Sequence, residues 1–491
     1  MREWPTIVSD APSQPLTNGA PGFDAASLTR AVHGRVVIPG RSPIRGGSVD
    51  SRRITAGSCF FALPGERTDG HRFLAEAIAA GAAALVVRED RMLDADAARV
   101  ANEAGGRTSV IAVPDVLLAL QAAAVAWRDR FDPLVVGVTG SLAKTSTKEQ
   151  IAEVLAERWS VLRNEGNENN EIGLPLTLLR LLPEHHAAVL EMGMYVEGDI
   201  ALLARLARPS IGVVTAVRGT HLSRAGSIEA VARGKGELID ALPAGGTAIL
   251  NADDERVLAM RDRTTARVLT YGLTGRPDVT ADGVESLAEA GMRFTLRTPS
   301  GSIAVETAAL GRHSVHNALA AAAVGLTAGF DLPTIASGLR GGFHAPHRTA
   351  LVRAGEWRIL DDSYNAAPDS MIAALGLLAS LPGRRIAVLG EMLELGDAAE
   401  AAHIEVGRDA GRLADRLVVV GEGAIGIAQG AREAGMMPEA VSVVADRDAA
   451  LELLLRILRP QDAILVKASR GIALELLVDA LVAAGGDPVR A

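Results

Sequence analysis

Runs of five to seven apolar, often β-branched residues alternate with Ala/Leu-rich stretches of helical periodicity along most of the chain. This is the pattern of parallel strands covered on both faces by helices. Before Asp132 it predicts strands near Ser58–Ala62, Ala84–Val87 and Val110–Val113. A middle set follows at Pro133–Val138, Ala187–Glu191, Ile211–Thr215, Ala248–Leu250 and Val268–Tyr271. After Gly341 come Arg358–Asp361, Arg385–Leu389, Arg416–Val420, Val441–Val444 and Ala463–Val466, each trailed by a helix-like segment. The class is α/β, and the last set reads as a Rossmann-like parallel sheet.

At 491 residues the chain exceeds what one core sustains, about 250–300 residues, so several domains are required. The pattern divides into a loose leader over 1–25, a small α/β domain over 26–131, a P-loop-like parallel-sheet domain over 132–338 and the Rossmann-like domain over 339–491. Hydrophobic residues make up 48% of the chain, enough to fold rather than stay disordered. The formal charge of −9, with no Lys/Arg-rich run, argues against nucleic-acid binding. The lone cysteine, Cys59, excludes an internal disulfide framework and suits a reducing, cytoplasmic setting. No window is long and apolar enough to be read as a membrane span, and the first residues lack the apolar stretch of a secretory signal.

The strongest local signal is Gly137-Val-Thr-Gly140-Ser141-Leu-Ala143-Lys144-Thr145-Ser146, set between a strand and a helix. A turn there aims backbone N–H groups and the helix's positive end at phosphates, with a lysine for the β/γ oxygens and a hydroxyl for Mg²⁺. The strict pattern is broken because Val138 and Ala143 occupy its glycine positions; if residue 143 needs positive φ, alanine is strained. Asn164 to Pro175 forms an Asn-rich loop, a composition that on its own is most often a turn. Glu191 ends a buried strand, where α/β sheets hold ligands. His221 and Lys235 follow, and each alone would be a surface or capping residue; Lys235 in particular sits between Arg233 and Glu237, as a solvated helix lysine would.

In this order the motifs resemble the Mur ligases. The N-terminal part adds Val49-Asp50-Ser51-Arg52, Gly57 to Gly65 and Thr68-Asp-Gly-His71. The middle adds Asn167-Glu-Asn-Asn170, Glu191-Met-Gly, His221-Leu, Lys235-Gly-Glu and His313-Ser-Val-His-Asn317. The C-terminal part adds Asp361-Asp362-Ser-Tyr364-Asn365, Gly390-Glu-Met-Leu-Glu-Leu-Gly396, His403 and Lys467-Ala-Ser-Arg470. The similarity is greatest to the members that join D-alanyl-D-alanine to a UDP-N-acetylmuramoyl tripeptide.

The resemblance implies an ATP-dependent amide ligase acting through an acyl phosphate in peptidoglycan precursor synthesis, with ATP and Mg²⁺ as cofactors. It implies catalytic roles for Lys144, Glu191, His221 and Lys235, the last as a carbamate. It places Thr145, Glu191, His221 and carbamylated Lys235 at metal, and Gly140, Ser141, Lys144, Thr145, Ser146, Asn317, Arg348 and Asp362 at the nucleotide. It gives Ser51, Arg52, Asn167, Asn170, Tyr364 and Asn365 to the other substrates, and a monomer is expected. The N-terminal domain is expected to bind the UDP-sugar and the C-terminal domain the dipeptide.

Three positions depart from the family pattern: Ala143, Ala367 and Ala468. Two rival readings are a ligase adding the preceding amino acid and a silent ATP-binding paralogue. The first is opposed by the lack of an Asp-Asn-Pro-Arg segment, the second by the intact Lys144, Glu191, His221 and Lys235. Folylpolyglutamate synthase lacks so long an N-terminal unit, and no GxGxxG follows a strand to support a dehydrogenase.

Overall fold

Four sheets organise the chain, and three of them carry the strands that the apolar runs predict. The computed structural model describes residues 22–65, 68–91, 105–219, 226–486 and 488–490. The N-terminal sheet has order β1-β5-β4-β3-β2, from β1 (Arg35–Ile38), β2 (Gly47–Ser48), β3 (Cys59–Phe61), β4 (Ala84–Arg88) and β5 (Ser109–Val113). The expected leader lies mostly outside the described residues, but its last positions belong to this domain. Asp24 caps the helix Ala25–Ala31 and Phe23 is buried on Trp127, because an aromatic that can reach a core is worth more inside than in water.

The central sheet has order β11-β10-β9-β6-β8-β7 and every pairing is parallel. Its strands are β6 (Leu134–Thr139), β7 (Ser160–Arg163), β8 (His185–Glu191), β9 (Ile211–Val214), β10 (Thr247–Asn251) and β11 (Arg267–Tyr271). The middle region carries a second sheet beside the expected parallel one. A three-stranded antiparallel sheet of β12 (Thr280–Ser286), β13 (Met292–Thr298) and β14 (Gly301–Thr307) follows it. These strands alternate buried and exposed residues rather than running apolar, since one face meets solvent. The helix Leu332–Arg340 packs on Lys144–Ala156 so closely that a Cβ at Gly338 would sit 2.5 Å from the Val154 Cα.

The C-terminal sheet has order β19-β18-β17-β20-β16-β15-β21. Its strands are β15 (Ala350–Ala354), β16 (Trp357–Asp361), β17 (Arg385–Gly390), β18 (Arg416–Val420), β19 (Val441–Val444), β20 (Ala463–Lys467) and β21 (Pro488–Arg490). β16 through β20 pair in parallel, while β15 and β21 add an antiparallel edge. The strand ends of the central and C-terminal sheets face one another across a cavity of about 890 Å³, the position where open α/β sheets hold ligands.

Candidate active site

The central wall of the cavity begins where β6 runs into the helix Lys144–Ala156. Only glycine fits at 140, because a Cβ there would lie 1.8 Å from Thr215 Oγ1. Ala143, at the cap of the helix, has φ +60° in the left-handed region, so the strain expected for a non-glycine residue is present. The turn is held from behind: Ser141 N donates to Ala216 O at 2.7 Å and Thr215 Oγ1 to Leu142 O at 2.5 Å. This leaves the start of a 13-residue helix open to the cavity, with Ser141, Lys144, Thr145 and Ser146 lining it.

Glu191, at the end of β8, is the hub of a buried network. Its carboxylate accepts from Thr145 Oγ1 and from Asn169 Nδ2, both at 2.7 Å. Asn164 clamps the same residue's backbone, accepting from Glu191 N at 2.9 Å and donating to Glu191 O at 3.0 Å. The Asn164 carbonyl in turn accepts from Lys148, which is 1% exposed and pairs with Glu149 at 2.7 Å. Burial pushes the Glu191 carboxyl up, but Lys144, Lys148, Arg348 and the Thr145 hydrogen bond outweigh it and hold the group below its usual range. Glu191 is therefore an anion at neutral pH. The Asn-rich loop is more than a turn: Asn169 orients this carboxylate, a role the sequence did not single out. Asn167 lines the cavity with its Oδ1 unpartnered, whereas Asn170 Oδ1 is taken up capping Gly173 N at 2.8 Å.

Lys235 contradicts its reading as a solvated helix lysine. It is 3% exposed on the helix Ile228–Asp240, lines the cavity, and its Nζ makes no hydrogen bond or ion pair with a described residue. Arg233 is exposed and pairs with Glu197, while Glu237 accepts from Gly198 N and Ala201 N, so neither neighbour compensates it. Burial, and then the charge of Lys144, push its pKa well below the ordinary lysine value, which favours the neutral amine. His221 lies outside the described residues. Among the described residues no three His, Cys, Asp or Glu side chains form a ready metal centre. The donor set present, the Thr145 hydroxyl and the Glu191 carboxylate on one cavity wall, suits a hard, oxygen-preferring ion.

At the far end of the same wall, Asn317 is buried in the helix Arg312–Thr327. Its Oδ1 accepts from Thr147 Oγ1 at 3.0 Å, and its Nδ2 has no protein partner. A buried amide donor left unpaired beside a cavity is costly unless a ligand acceptor satisfies it.

The opposite wall comes from the C-terminal sheet. Arg348 stacks on Tyr364 with its guanidinium carbon 4.0 Å from the ring centre, and its charge acts on both Lys144 and Glu191. Asp362 accepts from Lys467 Nζ at 2.5 Å and from Thr349 N at 3.0 Å, and Lys467 also donates to Asn365 O at 2.8 Å. His347 and Thr349, flanking Arg348, both adopt left-handed backbone, with φ of 58° and 50°. Ala367 begins the helix Pro368–Ser380 without a side-chain cap, and buried Ala468 packs against Gly390. Ser51 and Arg52 stand apart from the cavity: Ser51 donates to Glu76 at 3.1 Å, and exposed Arg52 pairs with Asp50.

Comparison with known proteins places this geometry. Models of the Mur ligase family catalytic domain, middle domain and glutamate ligase domain match residues 43–128, 138–325 and 347–470. A UDP-N-acetylmuramoyl-tripeptide--D-alanyl-D-alanine ligase of Mycobacterium tuberculosis is 41% identical, over 88% of this chain and 91% of its own. The chain belongs to the Mur ligase family. An Escherichia coli relative of the same description is 39% identical, over 88% of this chain and 93% of its own. A crystal structure of MurF from Acinetobacter baumannii superposes with a TM-score of 0.83 at 29% identity, covering 94% of this chain and 99% of its own. The MurF ligase from Thermotoga maritima in complex with ADP gives 0.77 at 26% identity, covering 90% and 98%. Within this Mur ligase the family's middle-domain match contains Gly140, Lys144, Thr145, Glu191, Lys235 and Asn317, and the third match contains Arg348, Asp362 and Tyr364. No helix among the described residues is long and apolar enough to cross a membrane.

Proposed function

We propose that this Mur ligase joins D-alanyl-D-alanine to UDP-N-acetylmuramoyl tripeptide at the expense of ATP, as a cytoplasmic monomer. The observation that carries the reading is one cavity with a phosphate loop and Lys144 on its central wall and Arg348, Lys467 and Arg470 on its C-terminal wall. Attack of a carboxylate on a triphosphate brings anion against anion, so cations from both walls are the expected equipment. The tripeptide carboxylate attacks the γ-phosphorus, the bond to the β-phosphate oxygen breaks, and ADP and an acyl phosphate result. The dipeptide amine then adds to the acyl carbon, loses a proton, and phosphate departs as the amide forms.

Lys144 and the amides of Gly140 and Ser146 hold the phosphates, with Ser141 lining the turn while its own amide is bonded to Ala216 O, and Arg348 counters charge on the transferred group from the opposite wall. Asn317 Nδ2 takes an adenine acceptor, which satisfies the only buried donor left open in that helix among the described residues. Asp362 sits at the ribose. Asn167, Asn170, Tyr364 and Asn365 face the tripeptide and dipeptide, while Ser51 and Arg52 serve the UDP-sugar in the N-terminal domain. Thr145, Glu191 and His221 would hold Mg²⁺, which when bound neutralises phosphate charge. Lys235 reacts with CO₂ as the neutral amine: its lone pair forms the N–C bond, one proton leaves, and an anionic carbamate stands where an ammonium would repel metal.

Phosphate release should require ATP, the UDP-tripeptide and D-alanyl-D-alanine together. Equal turnover of a UDP-dipeptide with a free diamino acid would show instead the ligase of the preceding step. Lys235→Ala should lose most activity and regain part of it with acetate or formate; a variant with normal rates and no added acid would refute the carbamate.

A further inference from the structure

Arg470 is a cation of the C-terminal wall to which the steps above give no individual role. It follows β20 in a short turn, partly buried, and lines the cavity. Its Nη1 donates to Tyr364 Oη at 2.8 Å, and it makes no ion pair with a described carboxylate. Three other cations of the cavity are differently placed. Lys467 is paired with Asp362, Arg218 with Asp254 and Asp369, and the charge of Arg348 is felt at Lys144 and Glu191.

Beside Arg470 stands an apolar side chain that a soluble protein would ordinarily bury. Leu393 is 40% exposed and lines the cavity. It is held there by a built loop. Leu393 N donates to Ser469 Oγ at 2.9 Å, and Ser469 N to Glu391 O at 3.0 Å. Met392 N donates to His403 Nε2 at 2.9 Å, and His403 Nδ1 lies 2.7 Å from Ala399 O. With Nε2 accepting and Nδ1 facing a carbonyl, buried His403 works as a clamp on this loop. The residues flanking Leu393, Met392 and Leu395, are buried, which anchors the loop on both sides.

We propose that Arg470 and Leu393 form the subsite for the carboxy-terminal end of the acceptor, Arg470 taking its terminal carboxylate and Leu393 packing its terminal methyl. The assignment rests on the ligase reading above and extends it to the recognition of the acceptor. The acceptor has an amine at one end and a carboxylate at the other, and an extended dipeptide spans roughly 7 Å. Its amine must reach the acyl carbon near Lys144, so its carboxylate must be received away from the phosphates. A guanidinium fork with no carboxylate of its own suits that group better than an ammonium does.

The test compares D-alanyl-D-alanine with D-alanyl-D-alaninamide as acceptors for the wild-type enzyme and for Arg470→Gln and Arg470→Lys. Arg470→Gln should raise the KM for the free acid about ten- to hundredfold. The KM values for the amide, ATP and UDP-tripeptide should move less than about twofold. Arg470→Lys should recover part of the acid preference, because the charge remains. A rise in the KM for ATP, or an equal loss with acid and amide, would overturn the subsite while leaving the ligase reading intact. A wild-type enzyme inert towards D-alanyl-D-alanine would overturn both.

Discussion

The two walls of the cavity are built in opposite ways. On the central wall Thr145, Glu191, Asn164, Lys148 and Lys235 are all buried, and all but Lys235 hold one another by hydrogen bonds rooted in strand and helix ends. On the C-terminal wall Arg348, Tyr364 and Arg470 are loop residues that stack or bond at the surface of the cavity, with strained backbone at His347, Thr349 and Glu394. A rigid wall suits charge development at a phosphoryl group, where preorganised dipoles need no rearrangement. A loop-built wall suits a partner that must enter and leave, and it keeps its cations available because few carboxylates oppose them.

The largest expected effect tests the rigid wall directly. Lys144→Ala should lower kcat/KM for phosphate release at least about a thousandfold, since it removes the loop's own cation. Near-normal rates would sink the phosphate-loop assignment.

Next comes Lys148→Met, which removes a buried ammonium while Glu149 keeps Arg163 at 2.9 Å. Leaving the Asn164 carbonyl unpaired should cost roughly 1–3 kcal/mol in denaturant unfolding. It should also lower kcat, through the loosened clamp on Glu191. Loss of stability with an unchanged kcat would separate the fold of this wall from its chemistry.

A smaller, pH-dependent effect belongs to the loop wall. His347 Nδ1 lies 2.8 Å from Asp361 Oδ2, and this bond raises the histidine pKa against the opposing effect of burial. Ser363 also bonds Asp361, and Asp479 and Glu475 add negative charge nearby. A raised folded pKa stabilises the fold fully below the unfolded value of about 6.5, and the benefit is lost as pH rises through the folded value. The difference in Tm between the wild type and His347→Gln should therefore be widest below about pH 6.5 and shrink as the pH rises above it. A gap that widened with pH would reverse the assignment of the charged partner.

The smallest effect is at Ala143→Gly. Glycine relieves the left-handed strain but gives the unfolded chain more freedom, so stability should change by less than about 1 kcal/mol. Activity should stay equal or rise, read as kcat and the KM for ATP. A clear loss would mean that the alanine methyl itself is needed at this turn.

The same contrast explains how far the sequence could be read. Strands such as β6, β17 and β18 are buried on both faces, so their apolar runs located them to within a residue or two. The antiparallel sheet at 280–307 went unseen because its strands alternate polar and apolar and resemble surface chain. Lys144 and Glu191 were evident from their places at strand and helix ends. Asn169, Lys148 and Arg470 were not, because an asparagine in a loop and a cation on a helix or turn carry no signal until the partner is known.

By itself, then, the sequence determined the α/β class, the order of three of the four sheets along the chain and the Gly-bearing turn before Lys144, all of which depend on local periodicity and short spacing. Only the tertiary structure decided that Lys235 is buried and unpaired among the described residues while Arg233 and Glu237 beside it are engaged elsewhere. Only the tertiary structure brought Arg348 and Arg470 across from another sheet to face Lys144. Burial and opposition of charge are set by residues hundreds of positions apart, and no local pattern encodes them.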